Sequence, residues 1–398
     1  MHPAASRGQN AQNRPRPPKN RDNTPPELWN DWRWQLQNRY SSFEDYASWI
    51  QLTPSEAKAL KGSTGLFRTQ VTPYFAELID PQNPRCAIRR QVIPVASEFI
   101  DNAHDMADPL GEDSHSPVPG LVHRYPDRVL MLVTNVCAAY CRYCTRKRWV
   151  ANEDADMPQF QQALEYLRKH KEIRDVLFSG GDPLLFPDAK LERYIAAVRA
   201  IPHIEFVRIG TRIPAFLPQR VTPELCAMLR KYHPLWMSVH FNVAKELTPE
   251  AVSALGRLAD AGIPLGCQTV LLKGVNDSVP RMKKLVHELL KARVRPYYLY
   301  QCDPVLGTAH LRTSVQAGIE MIEGLRGHTT GYGVPTYVID GPGGGGKVPI
   351  SPDYVLARTE EAITIRNYEG KSFKYYEPAK RSKVTTARPS KAEPADGM

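Results

Sequence analysis

No stretch of this 398-residue chain is apolar for long enough to cross a bilayer, so no transmembrane helix is expected. The first residues, basic and proline-bearing through Arg7, Arg14 and Arg16, lack the apolar centre of a secretory signal. Cysteine is scarce. Seven occur, and Cys86, Cys226, Cys267 and Cys302 are scattered singly, which excludes a disulfide scaffold and points to a reducing, cytoplasmic setting. Acidic charge is also in deficit, the formal net charge being +10. That excess lies mostly at the ends. Residues 1–27 hold five Lys and Arg against Asp22 and Glu27, and residues 371–398 hold seven against Glu377, Glu393 and Asp396. Basic, Pro-bearing ends read as solvated, disordered arms, here over 1–27 and 379–398, and the near-neutral body argues against a nucleic-acid surface.

What the chain does hold is a run of three cysteines, Cys137, Cys141 and Cys144, directly after the apolar segment 129–133. An iron–sulfur cubane needs four ligands. Three thiolates on one loop hold three irons and leave the fourth open to a small molecule, which makes the spacing Cys-x3-Cys-x2-Cys a place for chemistry. Zinc is the rival metal, but structural zinc sites close with four protein ligands, commonly in paired Cys-x2-Cys units. No second pair of that kind exists here.

The organisation around this run is regular. Residues 28–110 read as short helices broken at Pro54, Pro73, Pro81 and Pro84, with Trp29, Trp32 and Trp34 as core anchors. A polar connector follows over 108–127. Apolar runs at 129–133, 176–178, 205–209, 235–241, 268–272 and 296–300 then alternate with amphipathic helical stretches. Six strands alternating with five helices predict a parallel sheet with right-handed crossovers, closed or partly closed into an α/β barrel over 111–330. Chemistry in such barrels sits at the C-terminal strand ends. The cysteine loop, Ser179-Gly180-Gly181-Asp182 and Gln301-Cys302-Asp303 all fall there.

Residues 331–378 form a C-terminal segment whose marked feature is Asp340-Gly341-Pro342-Gly343-Gly344-Gly345-Gly346-Lys347. Gly341 to Lys347 meets the first seven positions of a nucleotide phosphate loop, but the eighth must be Ser or Thr and is Val348. Pro349 and Pro352 also argue against the helix such a loop requires. A mobile glycine run delivering one lysine suits a Schiff-base partner of pyridoxal phosphate better.

Taken together, Asn135 to Arg148, Ser179 to Asp182, Arg295 to Asp303, Gly324 to His328 and Asp340 to Lys347 resemble the lysine 2,3-aminomutases, which are radical S-adenosylmethionine enzymes. The likeness runs from about Trp29 to Pro378. It implies a partial (β/α)6 barrel with an N-terminal helical extension and three cofactors: a [4Fe–4S] cluster, S-adenosylmethionine and pyridoxal 5′-phosphate. By that resemblance Cys137, Cys141 and Cys144 ligate three irons. Gly180, Gly181 and Asp182 border the methionyl group, Gln268 contacts the nucleoside, Lys347 forms the aldimine, and Arg124, Arg128 and Tyr300 surround the pyridoxal phosphate. Arg146 matches the substrate-carboxylate clamp, a bidentate task suited to guanidinium. Asp303 and Asp340 match the pair that holds the distal ammonium of lysine.

The resemblance thus implies an isomerase that moves the 2-amino group of L-lysine to C3 through a pyridoxal phosphate aldimine, giving β-lysine. It also implies an amino-acid substrate, a reducing donor such as flavodoxin or ferredoxin, and a homo-oligomer. No zinc is expected, because the tail after Pro378 has no cysteine and Ser278 stands where some relatives place the barrel cysteine. Tyr143 stands where histidine is common. The same chemistry on L-arginine, or a radical enzyme modifying RNA, are the competing readings. The RNA reading leaves Lys347 and the two aspartates without a purpose.

Overall fold

The computed structural model describes residues 19–62, 68–100, 102–150, 152 and 159–378. It divides into two compact units, one ending at Ser351 and the other beginning at Pro352.

The first unit is built on a nine-stranded sheet whose spatial order follows the chain. Its strands are β1 (Leu121–Tyr125), β2 (Arg128–Thr134), β3 (Asp175–Gly180), β4 (Phe206–Thr211), β5 (Leu235–His240), β6 (Leu265–Leu271), β7 (Arg295–Gln301), β8 (Thr336–Gly341) and β9 (Gly346–Pro349). Strands β2 to β8 run parallel, while β1 and β9 pair antiparallel at the two edges. The sheet is an open, partial barrel. Its strands alternate in burial: in β4 and β6 every second residue is buried.

Short N-terminal helices precede the sheet: α1 (Pro26–Trp29), α2 (Trp32–Gln37), α3 (Phe43–Ala47), α4 (Pro54–Gly62), α5 (Pro73–Glu77) and α6 (Arg89–Val92). The crossovers carry α7 (Phe160–Lys169), α8 (Asp188–Arg199), the short α9 (Ile213–Phe216), α10 (Pro223–Arg230), α11 (Pro249–Asp260), α12 (Val279–Lys291) and α13 (Val315–Leu325). Several starts are chemically explicit. Thr222 and Thr248 cap α10 and α11, each followed by proline at the first helical position. The buried stripe of α11 combines small and branched residues, Ala251, Ala254, Leu255 and Leu258, at the three- and four-residue spacing of one helix face.

The expected strands are all present, and in the first unit three more lie outside the expectation. β1 falls where the end of the connector was placed, and β8 and β9 flank the glycine run. The N-terminal helices share the same core, through Trp29, Tyr46, Tyr74 and Phe75, with Trp32 and Trp34 packed against it half-buried. Of the arm expected over 1–27, residues 1–18 lie outside the described residues, as does the tail 379–398. From Lys19 the chain is folded, and Arg21 pairs with Glu250 of α11 at 2.6 Å. The second unit holds an antiparallel three-stranded sheet, β10 (Val355–Arg358), β11 (Ala362–Arg366) and β12 (Ser372–Tyr376).

Candidate active site

The loop after β2 carries the cysteines, and its backbone is held from outside the barrel. Arg39 and Gln70 both donate to the Cys137 carbonyl, at 3.1 and 3.0 Å, and the Tyr140 amide donates to the Gln70 carbonyl at 2.9 Å. The Arg142 amide donates to the Gln91 carbonyl at 2.8 Å, while its guanidinium forks onto Glu98, both side chains almost fully buried. The N-terminal helices therefore serve as a clamp on this loop.

From inside, β3 closes on it. The Gly181 amide donates to the Thr134 carbonyl and the Asp182 amide to the Val136 carbonyl at 2.8 Å. A Cβ on Gly181 would lie 2.2 Å from the Val136 oxygen, so only glycine admits this approach. Asp182 is buried and fully engaged by Thr211 Oγ1 at 2.7 Å, the Arg212 amide at 2.8 Å and the Leu184 amide at 3.2 Å. Burial lifts its carboxyl to about 6 against those stabilising donors. Asp182 thus ties β3 to β4.

Burial also pushes the Cys137 and Cys144 thiols up, and the neighbouring cysteines push them further, so the three sulfurs sense one another. Positive groups lie against them. Arg146 acts on Cys137 and Cys144, its own amide directed at the Cys144 sulfur, and Arg212 donates to Cys141 Sγ at 2.9 Å. Among the described residues no three His, Cys, Asp or Glu side chains converge on a single-ion position. A cluster, which spreads its ligands over several irons, asks for a wider spacing than one ion does.

Arg212 was not singled out in the sequence. It is buried at the end of β4 and also donates to Tyr143, to Gln91 at 2.6 Å and to Glu246 at 2.8 Å. Asn242 and His240 complete this network through the Tyr143 hydroxyl. A lone arginine in Gly-Thr-Arg-Ile-Pro carries no motif that would have marked it.

At the far edge, β8 and β9 present the lysine. Lys347 Nζ sits 3.0 Å from Asp340 Oδ1 and 5.3 Å from the Tyr300 ring centroid. Asp303 is half-buried nearby. Burial first and Asp340 second raise its carboxyl to about 7, while Lys347 acts against them and Glu112 adds a little. The glycine run lies against β1. A Cβ on Gly344, at φ +95°, would meet His115 at 2.8 Å and Arg124 Nη1 at 2.9 Å. Tyr125, also unmarked by sequence, accepts the Lys347 amide at 3.0 Å and carries Arg128 on its ring face at 3.8 Å.

The structure brings Lys347, Asp340, Tyr300 and Asp303 into one group, with Arg124 beside the glycine run. Arg128 lies on the Tyr125 ring and pairs with Asp127 at 2.9 Å. Gln268 lies on β6 in register with His240 and Tyr298, its side-chain amide unbonded among the described residues. Arg146, next to the cysteines, is engaged by Glu112, which also senses Asp303. The segment that carries Glu112 reaches both loops, pairing with Arg146 and accepting the Gly343 amide at the Pro109 carbonyl at 3.0 Å.

Cysteines placed after the first parallel strand of a partial barrel define a radical S-adenosylmethionine enzyme, and residues 131–286 match the Radical SAM superfamily. Residues 322–394 match the family described as Lysine-2,3-aminomutase. The L-lysine 2,3-aminomutase of Fusobacterium nucleatum is 54 % identical over 358 residues, covering 89 % of this chain and 84 % of that protein. That of Clostridium subterminale is 53 % identical over 352 residues, covering 88 % and 85 %. A glutamate 2,3-aminomutase of Clostridioides difficile is 42 % identical over 350 residues, covering 87 % and 83 %. The chain belongs to the lysine 2,3-aminomutase family and is an isomerase.

Membership of the radical SAM class implies a [4Fe–4S] cluster and S-adenosylmethionine. The donor set fits the cluster: three thiols sharing one loop, with a guanidinium and an amide already directed at their sulfurs. No described helix is long and apolar enough to cross a membrane.

Proposed function

We propose that this enzyme moves the 2-amino group of L-lysine to C3, giving β-lysine. Cys137, Cys141 and Cys144 hold the cluster, and Gly180, Gly181 and Gln268 line the place of S-adenosylmethionine. Lys347 carries pyridoxal phosphate covalently. When bound, the cluster with S-adenosylmethionine supplies one-electron chemistry and hydrogen abstraction, and pyridoxal phosphate supplies an electron-accepting ring.

The fit of the last group rests on a cradle that a Cβ would fill. At Gly344 the backbone comes against Arg124 and His115, an arrangement of cationic and amide donors suited to a phosphate. Tyr300 offers its ring face beside the lysine amine.

The protein's own task is to hold both ends of an amino acid and keep water from its middle. Arg146 takes the carboxylate, and Asp303 with Asp340 takes the distal ammonium. The observation that carries this reading is the Lys347 ammonium on Asp340 at 3.0 Å. That acid accepts a cation at the end of a four-carbon stem, the same group in which substrate lysine ends. Two neighbouring half-buried carboxylates favour a cation between them and repel an acidic side chain. A reducing donor such as flavodoxin or ferredoxin, a homo-oligomeric assembly and a cytoplasmic location complete the proposal.

Anaerobic assays with S-adenosylmethionine and dithionite, comparing L-lysine, L-arginine and L-glutamate, test it. Lysine is expected to be preferred. Asp303→Asn should raise KM for lysine about tenfold to a hundredfold while iron content stays at the wild-type level, the loss expected for one charged hydrogen bond. Preference for arginine would reassign the substrate, and equal activity on glutamate would overturn the two-acid argument.

A further inference from the structure

Arg146 does not stand alone. Its Nε donates to both Glu112 oxygens at 3.0 Å, and its Nη2 donates to Oε1 at 2.6 Å. Glu112 therefore forks the guanidinium along its Nε–Nη2 edge, and among the described residues Nη1 makes no hydrogen bond. A guanidinium has a second edge, Nη1 with Nη2, that a carboxylate can also fork. We propose that Glu112 is a positioning residue. It locks Arg146 by one edge and turns the other toward the substrate carboxylate. The inference rests on the reading of Arg146 given above and deepens it.

The segment around Glu112 is built to hold it. The Glu112 carbonyl accepts Ser116 Oγ at 2.7 Å and the His115 amide at 3.2 Å. Arg148 lies closer to the neighbouring acids, Asp113 at 2.8 Å and Asp108 at 3.2 Å, so the hydrogen bonds to the Glu112 carboxylate come from Arg146. The same segment borders the lysine loop, since the Gly343 amide donates to the Pro109 carbonyl at 3.0 Å. One short stretch thus sets Arg146 and touches the loop of Lys347.

Two effects oppose each other. The Glu112 charge repels a substrate carboxylate, whereas a pre-set Arg146 spares the substrate the ordering of a long side chain. Arg148, 3.9 Å from Glu112, offsets part of the repulsion. Ordering an unheld arginine is worth about thirtyfold in affinity. Positioning is therefore expected to win.

The test is equilibrium dialysis on unreduced holoenzyme with L-lysine and with cadaverine, which keeps the amines and lacks the carboxylate. The ratio of the two Kd values, cadaverine over lysine, reports what the carboxylate contributes. Glu112→Gln should lower that ratio about tenfold, with the Kd for cadaverine unchanged. Should the glutamine variant fail to hold its cluster by iron analysis, Glu112→Asp, which keeps the charge and shortens the reach, must lower the ratio instead. Arg146→Lys is the reference. A ratio that stays level or rises in the Glu112 variant while falling in Arg146→Lys overturns the positioning role and leaves the proposed function intact. A ratio unchanged in both overturns the carboxylate role of Arg146 itself.

Discussion

Asp303 is the residue on which substrate charge and enzyme stability meet. Its carboxyl, raised to about 7 by burial and by Asp340, is only partly ionised at neutral pH. A cationic side chain requires it ionised, so lysine affinity should rise with pH toward 8, by at most about tenfold per unit below 7. Binding measured across pH 6 to 8 checks this, and Asp303→Asn should remove that part of the slope. The stability effect has the opposite sense. An unfolded aspartate titrates at about 3.9, so between that value and about 7 the folded chain holds more protons than the unfolded one. Stability contributed at this site therefore falls as pH rises through that window. Thermal melts should show Asp303→Asn gaining on the parent protein at pH 8 relative to pH 4.

Elements, rather than single side chains, explain why the two loops hold their shape. The cysteine loop is held by α6 and the turns around Gln70 and Glu98, with the Arg142–Glu98 pair sealed inside. Glu98→Ala takes the carboxylate from a buried guanidinium, a loss of about 3–5 kcal/mol. The expected result is a lower melting temperature with less iron per chain, read by calorimetry and iron analysis. On the opposite edge, β1 offers Tyr125 to the lysine loop. Tyr125→Phe removes one acceptor and should weaken pyridoxal phosphate retention several-fold, about 1 kcal/mol, read from absorbance after dialysis.

The same elements mark what could be read in the sequence. Strands β2 to β7 were legible because buried residues recur in short apolar runs between amphipathic helices. β8 and β9 were not, since β8 runs straight into the glycine run and β9 is only four residues long, ends in proline and is mostly exposed. The segment carrying Glu112 is acidic and aperiodic, so nothing in it distinguishes an arginine-holding carboxylate from a solvated one. Arg212 and Tyr125 were equally silent, because each acts through a partner distant in the chain.

For the molecule as a whole, the open sheet places the cysteine loop after β2 and the lysine loop between β8 and β9. The segment around Glu112 spans the interval, holding Arg146 at one end and the glycine run, through Pro109 and Gly343, at the other. The central claim is that these two loops serve one bound amino acid. The most direct test follows the nitrogen itself: L-lysine labelled with 15N at its 2-amino group, incubated anaerobically with S-adenosylmethionine, pyridoxal phosphate and dithionite, and examined by NMR. The label is predicted to appear on C3, and to stay on C2 with Lys347→Ala or Cys141→Ala. Transfer that survives the loss of either residue, or S-adenosylmethionine consumed with the label fixed on C2 throughout, would contradict the account.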